Sequence, residues 1–132
     1  MSRDFPLDVD ALKAVLDHLN LGVYITDIER RIVLWNRKAE EITGHRAEDV
    51  VGQACHENVL VHADKDGHEL CHTDHCPLYR SIEVGRESTE PVLVYARTAE
   101  GRRIAVSTSV APLRDSAGDV VGGIETFRDE SQ

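Results

Sequence analysis

The chain has 132 residues, 41% of them apolar and 30% charged, with a formal net charge of −9. That is one domain's worth of globular sequence, able to bury a core without disulfide or metal staples. The acidic balance argues against nucleic acid or an anionic membrane surface as the main partner, and no apolar run approaches the roughly 20 residues of a bilayer span. The N-terminus, Met1-Ser2-Arg3-Asp4-Phe5, carries no apolar signal segment, so a cytoplasmic location is expected.

In chain order, Leu12, Val15, Leu16 and Leu19 repeat at helical spacing, with Asp8 or Asp10 as a cap. They predict a short amphipathic helix ending near Asn20, its apolar stripe packing on a sheet or on a second copy of the chain. Gly22–Asp27 and Arg31–Trp35 are two short apolar runs joined by Asp27-Ile28-Glu29-Arg30, which predicts a hairpin. Asn36 caps a helix to Thr43 that Gly44 stops, and a shorter turn, Ala47 to Val51, ends at Gly52. Pro77 suits the first turn of another helix, to about Val84, stopped by Gly85. Pro91–Arg97, Arg103–Leu113 and Val120–Arg128 are rich in Val, Ile and Thr and are separated by turn residues, predicting an antiparallel meander. Within it, Ile104, Val106, Thr108 and Val110 alternate with Ala105, Ser107, Ser109 and Ala111, giving one bulky and one small face. The predicted fold class is α+β, with short helices gathered on one face of a five-stranded antiparallel sheet. Trp35 and Phe127 are expected in its core.

All three cysteines and five of the seven histidines fall between Cys55 and Cys76. Thiolate sulfur and imidazole nitrogen are the ligands that hold zinc, copper or iron–sulfur clusters. An odd cysteine count cannot pair off internally, and in a reducing compartment such clusters are more often metal or redox sites than structural disulfides. The leading constellation is Cys55, His62, Cys71 and Cys76, with six, eight and four residues between successive members. Three thiolates and one imidazole complete a tetrahedral zinc shell, and the same residues suit an iron–sulfur cluster. His56, His68, His72 and His75 are alternatives to His62. The segment from His62 to His75 contains few apolar residues, so a metal would supply the ordering free energy that burial does not. The competing readings are a thiol redox switch and two small buried hydrophobes beside a solvated histidine loop. Cys76 precedes Pro77 at a predicted helix start, where thiolate is favoured; this supports ligation and redox reactivity equally. No constellation supports catalysis.

The run G-V-Y-I-T-D, then W-N-R-K-A-E-E-I-T-G (Trp35 to Gly44), A-E-D-V-V-G (Ala47 to Gly52) and the closing P-L-R-D-S-A-G-D-V-V-G-G-I-E-T-F-R-D (Pro112 to Asp129) together resemble a PAS domain. The resemblance implies a domain over 12–129, residues 1–11 forming a tail and the start of the first helix. PAS domains are mostly sensor and docking modules of bacterial signalling proteins, which implies a non-catalytic sensor, homodimerisation through the N-terminal helix, and a linker from 130–132 into a C-terminal effector outside this chain. Cys55, the L-V-H-A-D segment at Leu60 to Asp64, Leu70-Cys71 and Cys76-Pro77-Leu78 further resemble a Cys/His-rich subclass that precedes diguanylate cyclases, with a shorter variant in sigma-54-type regulators. The flavin-binding subclass places a cysteine at the same distance after the glycine at Gly52, but its neighbouring Asn, Arg, Phe and Gln are missing here. Val106 to Ser109 and Glu125 stand where flavin-binding Asn and Gln are expected. Haem-binding relatives use a histidine on the helix that corresponds to Pro77–Val84, which has none. Both cofactors are therefore weaker expectations than zinc or an iron–sulfur cluster.

Overall fold

Runs rich in β-branched and aromatic residues build five antiparallel strands: β1 (Gly22–Asp27), β2 (Ile32–Trp35), β3 (Val92–Arg97), β4 (Arg103–Arg114) and β5 (Val120–Asp129). In the computed structural model, which describes residues 5–55, 59–71, 76–88 and 90–130, they form one sheet in the order β2-β1-β5-β4-β3. The last strand is therefore the middle one. β5 pairs with β1 from Gly22↔Phe127 to Asp27↔Gly122, and with β4 from Val106↔Asp129 to Arg114↔Val120. The bulky face of β4 turns inward as its alternation requires, Ile104, Val106, Thr108 and Val110 being buried.

Helices α2 (Arg37–Thr43), α3 (Ala47–Val50) and α4 (Pro77–Val84) lie over that inner face. Their ends follow local chemistry. The Asn36 side chain accepts from the Ala39 N–H, and Gly44 and Gly85 close α2 and α4 in the left-handed conformation. Tyr24, Trp35 and Phe127 meet in the core, with ring centroids 5.4 Å (Tyr24–Trp35), 6.2 Å (Tyr24–Phe127) and 6.5 Å (Trp35–Phe127) apart.

Helix α1 (Val9–Leu16) packs on the opposite face of the sheet. Its N-terminus is capped by Asp8, and it stops at Leu16, short of the expected Asn20. Asp17 stops it: its carboxylate accepts from Lys13 Nζ at 2.9 Å and from the Arg37 N–H at 2.7 Å, anchoring the turn to α2. Asn36 Nδ2 donates to the carbonyls of Leu16 and Leu21 from the other side. The predicted stripe consequently divides. Leu12 and Leu16 pack with Val9 on Ile25, Val33 and Leu34, whereas Val15 and Leu19 stay 65% and 43% exposed.

Within the Cys/His stretch, residues 59–71 have more order than their composition indicates. Val59, Leu60, Val61 and Ala63 are buried. Ala63 and Tyr95 exchange backbone hydrogen bonds of 2.9 and 2.8 Å, and Arg97 N–H donates to Leu60 O at 2.8 Å. The segment thus covers the otherwise free edge of β3, satisfying groups an exposed edge leaves open. Among the described residues, no helix is long and apolar enough to cross a membrane.

Candidate functional site

Beneath the helices, the core holds a polar cluster rather than an unbroken apolar one. Cys55, Cys71, Cys76 and His62 are all at least 96% buried, as are Tyr24 on β1 and Glu125 on β5. Four of the six are the residues singled out in the sequence as metal ligands, and the fold brings them to one region from three separate places. Cys55 follows the turn after α3, His62 and Cys71 flank the loop on the β3 edge, and Cys76 caps α4. His56, His72 and His75 lie outside the described residues.

The cysteines are tied to one another and to the loop. Cys71 Sγ accepts from the His62 N–H at 3.1 Å. The hydrogen bond from Cys71 brings the Cys76 thiol down to about 6, helped by the N–H groups of Tyr79 and Leu78 at the start of α4 and by Arg30. The same bond to Cys76, together with burial, pushes the Cys71 thiol up. Burial, then the nearby Glu125, pushes Cys55 up. One of the three thiols, Cys76, is therefore largely ionised at neutral pH while its neighbours hold their protons.

In the sequence Glu125 stands out only as occupying a position where a flavin-binding residue is expected, and Tyr24 does not stand out as a site residue. Tyr24 Oη donates to Glu125 Oε1 at 2.7 Å, and His62 Nε2 lies 3.5 Å from Glu125 Oε2. Burial pushes the Glu125 carboxyl up to about 8, against the Tyr24 hydrogen bond, and burial together with Arg103 takes His62 down to about 4. At neutral pH the contact is therefore between a protonated carboxyl and a neutral imidazole, not an ion pair. Glu125 Oε2 has no hydrogen-bond partner among the described residues. The signal available in the sequence was Glu125 itself, a carboxylate between inward-facing Gly123 and Phe127 in an apolar strand.

Arg30 is the other residue the sequence did not disclose. It sits in the β1–β2 turn at φ 66°, a left-handed position that usually belongs to glycine and costs a side-chain-bearing residue about 1–2 kcal/mol. Asp27 holds the turn, Oδ1 accepting from the N–H groups of Glu29 and Arg31 at 2.9 Å each. Arg30 Nη1 donates to Cys71 O at 2.7 Å and lies 4.0 Å from Cys76 Sγ, while the guanidinium carbon stands 4.9 Å from the Tyr79 ring centroid. The Arg30 carbonyl accepts from the Cys55 N–H at 3.0 Å.

The donor set of three sulfurs and one imidazole nitrogen is that of a soft or borderline metal, and the residues present fit zinc or an iron–sulfur cluster chemically. Among the described residues, the group whose ligand atoms all fall within 4.8 Å of one another is Asp64, Asp66 and His68, on the outer turn of the loop; no three of Cys55, His62, Cys71 and Cys76 are gathered so closely, and one ion there would have to draw them together. The arrangement of the outer group is explained by the turn: Asp64 Oδ1 accepts from the N–H groups of Asp66 and His68 at 2.9 Å each.

A five-stranded antiparallel sheet in this order, with helices over its inner face and a buried polar cluster between them, defines the class as an α+β module whose core is enclosed by sheet and helices. The chain belongs to the PAS-fold family, whose model matches residues 16–132. Among solved structures it is similar to the PAS domain of a protein from Colwellia psychrerythraea (TM-score 0.71, 19% identity, 94% of this chain and 98% of that one). It is also similar to an RNA-binding light-oxygen-voltage receptor (TM-score 0.72, 19% identity, 92% of this chain but 33% of that one). A third is the PAS domain of nitrogen regulation protein NR(II) from Vibrio parahaemolyticus (TM-score 0.67, 17% identity, 89% of this chain and 96% of that one). At these identities the likeness is one of fold. No match was found among curated proteins.

Proposed function

We propose that this domain senses a metal, redox or small-ligand state at Cys55, His62, Cys71 and Cys76 and relays it to a C-terminal effector, a diguanylate cyclase in the subclass it resembles. Zinc or an iron–sulfur cluster is the favoured occupant. The observation that carries the reading is the position of Glu125: it lies on the central strand β5, next to His62 at one end of the cluster, and β5 continues to Asp129, where the chain leaves the sheet. A change in the ligation of His62 or the thiols alters the neighbours of a β5 side chain directly. Coupling then consists of two packings of one strand, biased by the site.

The decisive measurement is elemental analysis with an absorption spectrum of protein purified without oxygen. Stoichiometric zinc or iron is expected; metal-free protein indifferent to oxidant overturns the reading. Amide exchange separates sensing from bracing. Exchange in Val120–Asp129 is expected to differ between reduced, metal-loaded protein and oxidised protein, with Cys71→Ser resembling the oxidised state because serine is a poor ligand for soft metals. If the difference stops within Cys55 to Cys76, the metal is a structural clip.

The second reading is a dimerisation or docking module in which that clip is purely structural. It is favoured by the exposed part of the α1 stripe, Val15 and Leu19. We expect a homodimer through this surface, so a Val15→Glu, Leu19→Glu variant should run as a folded monomer in light scattering at tens of micromolar. Leu12 and Leu16 are unsuitable for this test, since charging them strips α1 from its own sheet. A parent protein that is already monomeric at that concentration removes the dimer.

A further inference from the structure

We propose that Cys71 and Cys76 form a reactive thiol pair that hydrogen peroxide closes into a disulfide, Cys76 attacking the peroxide and Cys71 resolving the product. This deepens the redox form of the reading above and needs no metal. The fold, not the spacing, selects the pair. Of the three cysteines, Cys71 and Cys76 are hydrogen-bonded thiol to thiol. Cys55 is engaged elsewhere, its sulfur partnered by the Tyr24 hydroxyl beside Glu125.

Their surroundings divide the roles. Cys76 sits at the N-cap of α4, beside the N–H groups of Leu78 and Tyr79, and Arg30 Nη1 lies 4.0 Å from its sulfur. A helix N-terminus and a guanidinium both favour thiolate, the form of cysteine that attacks peroxides. The same Nη1 donates to the Cys71 carbonyl at 2.7 Å, so one guanidinium braces both residues. Arg30 reaches them from φ 66°, where glycine is the relaxed choice. Cys71 is held against its partner from the other side, its sulfur accepting from the His62 N–H at 3.1 Å.

The chemistry balances with peroxide alone. The Cys76 sulfur attacks one peroxide oxygen; an S–O bond forms, the O–O bond breaks, and the hydroxide released takes up the proton that Cys76 had shed. The Cys71 sulfur then attacks the Cys76 sulfenic acid. An S–S bond forms, the S–O bond breaks, and the Cys71 proton leaves with the hydroxyl as a second water. Two thiols lose two electrons and two protons, and the peroxide gains both. Burial selects the oxidant. Cys71 and Cys76 are 2% and 1% exposed, so hydrogen peroxide is small enough to enter where glutathione disulfide is not.

The test uses reduced protein freed of metal with a chelator. It is treated with one equivalent of hydrogen peroxide, unfolded in an alkylating agent and mapped by peptide mass spectrometry. Cys71 and Cys76 should be joined, lighter by their two thiol hydrogens, with Cys55 alkylated. Cys71→Ser should stop at a sulfenic acid on Cys76, trapped by dimedone, and Cys76→Ser should consume peroxide roughly 10-fold more slowly than the parent or slower still. Glutathione disulfide at the same concentration should leave all three thiols free; oxidation by it as rapid as by peroxide overturns the choice of oxidant. A disulfide that includes Cys55 overturns the pair, and mapping the parent decides this even where a variant fails to fold. So do three thiols that all remain alkylatable after peroxide. If that protein nevertheless binds zinc or iron, and exchange in Val120–Asp129 responds to the metal, the sensing reading stands without the pair. A Cys71–Cys76 disulfide with unchanged exchange in Val120–Asp129 does the reverse: it keeps the pair and removes the relay.

Discussion

Glu125→Gln should stabilise the protein at pH 8 by on the order of 2–4 kcal/mol and by progressively less as pH falls toward 5. The folded chain holds the Glu125 proton up to about pH 8, because burial disfavours the carboxylate, while the unfolded chain releases it near the ordinary 4.5. Between those values folding takes up a proton. The contribution is complete below about 4.5 and is lost as pH rises through about 8. Glutamine has no proton to take up; it still accepts from the Tyr24 hydroxyl, and its amide replaces the unpartnered Oε2. His62 works in the opposite direction. Its folded value is depressed to about 4, so its contribution is present above 6.5 and lost as pH falls through about 4. Cys76, lowered to about 6 from 9, is likewise favourable at high pH and lost through about 6. The parent's own profile is therefore flattened, and the difference between variant and parent in denaturant titrations from pH 5 to pH 8 isolates Glu125. If the variant is the less stable protein at pH 8, the carboxylate is ionised and paired with a protonated His62.

Gly122→Ala should cost about 3–5 kcal/mol, enough to leave a domain of ordinary stability marginal or unfolded. A Cβ at Gly122 would stand 2.0 Å from the Thr26 carbonyl oxygen and 3.2 Å from the Asp27 Cα. Both are backbone atoms of β1, the strand paired with β5 at this point, so no side chain can swing away. The central strand would have to part from its neighbour near the end of the hairpin that carries Arg30. Gly118→Ala is the control. Its Cβ meets nothing within 4 Å, and only its φ of +89° is unfavourable, so a loss of about 1 kcal/mol is expected. Thermal or urea denaturation monitored by the single tryptophan, Trp35, measures both. Equal losses in the two variants would mean that β1 and β5 are less closely paired than the register requires.

The sequence by itself determined the elements and most of their ends, that of α1 excepted. The cap that Asn36 gives α2, and Gly44, Pro77 and Gly85, act within a few residues of themselves, by capping hydrogen bonds and left-handed turns, and alternation along β4 separated a bulky face from a small one before any neighbour was known. The Cys/His spacing and the ordered PAS motifs were equally local, and they located the region that holds Cys55, His62, Cys71 and Cys76. What only the tertiary structure decided depends on partners distant along the chain. Tyr24 meets Glu125 across 101 residues, and Arg30 meets Cys71 across 41. Burial sets the protonation of Glu125, and burial follows from β5 lying between β1 and β4, an order no local pattern encodes. The stripe on α1 was legible as apolar, but which part of it the sheet would cover was decided by where Asp17 and Asn36 stop the helix. Arg30 looked like one more charge in a polar turn, because a strained φ and a sulfur neighbour are properties of the folded chain alone.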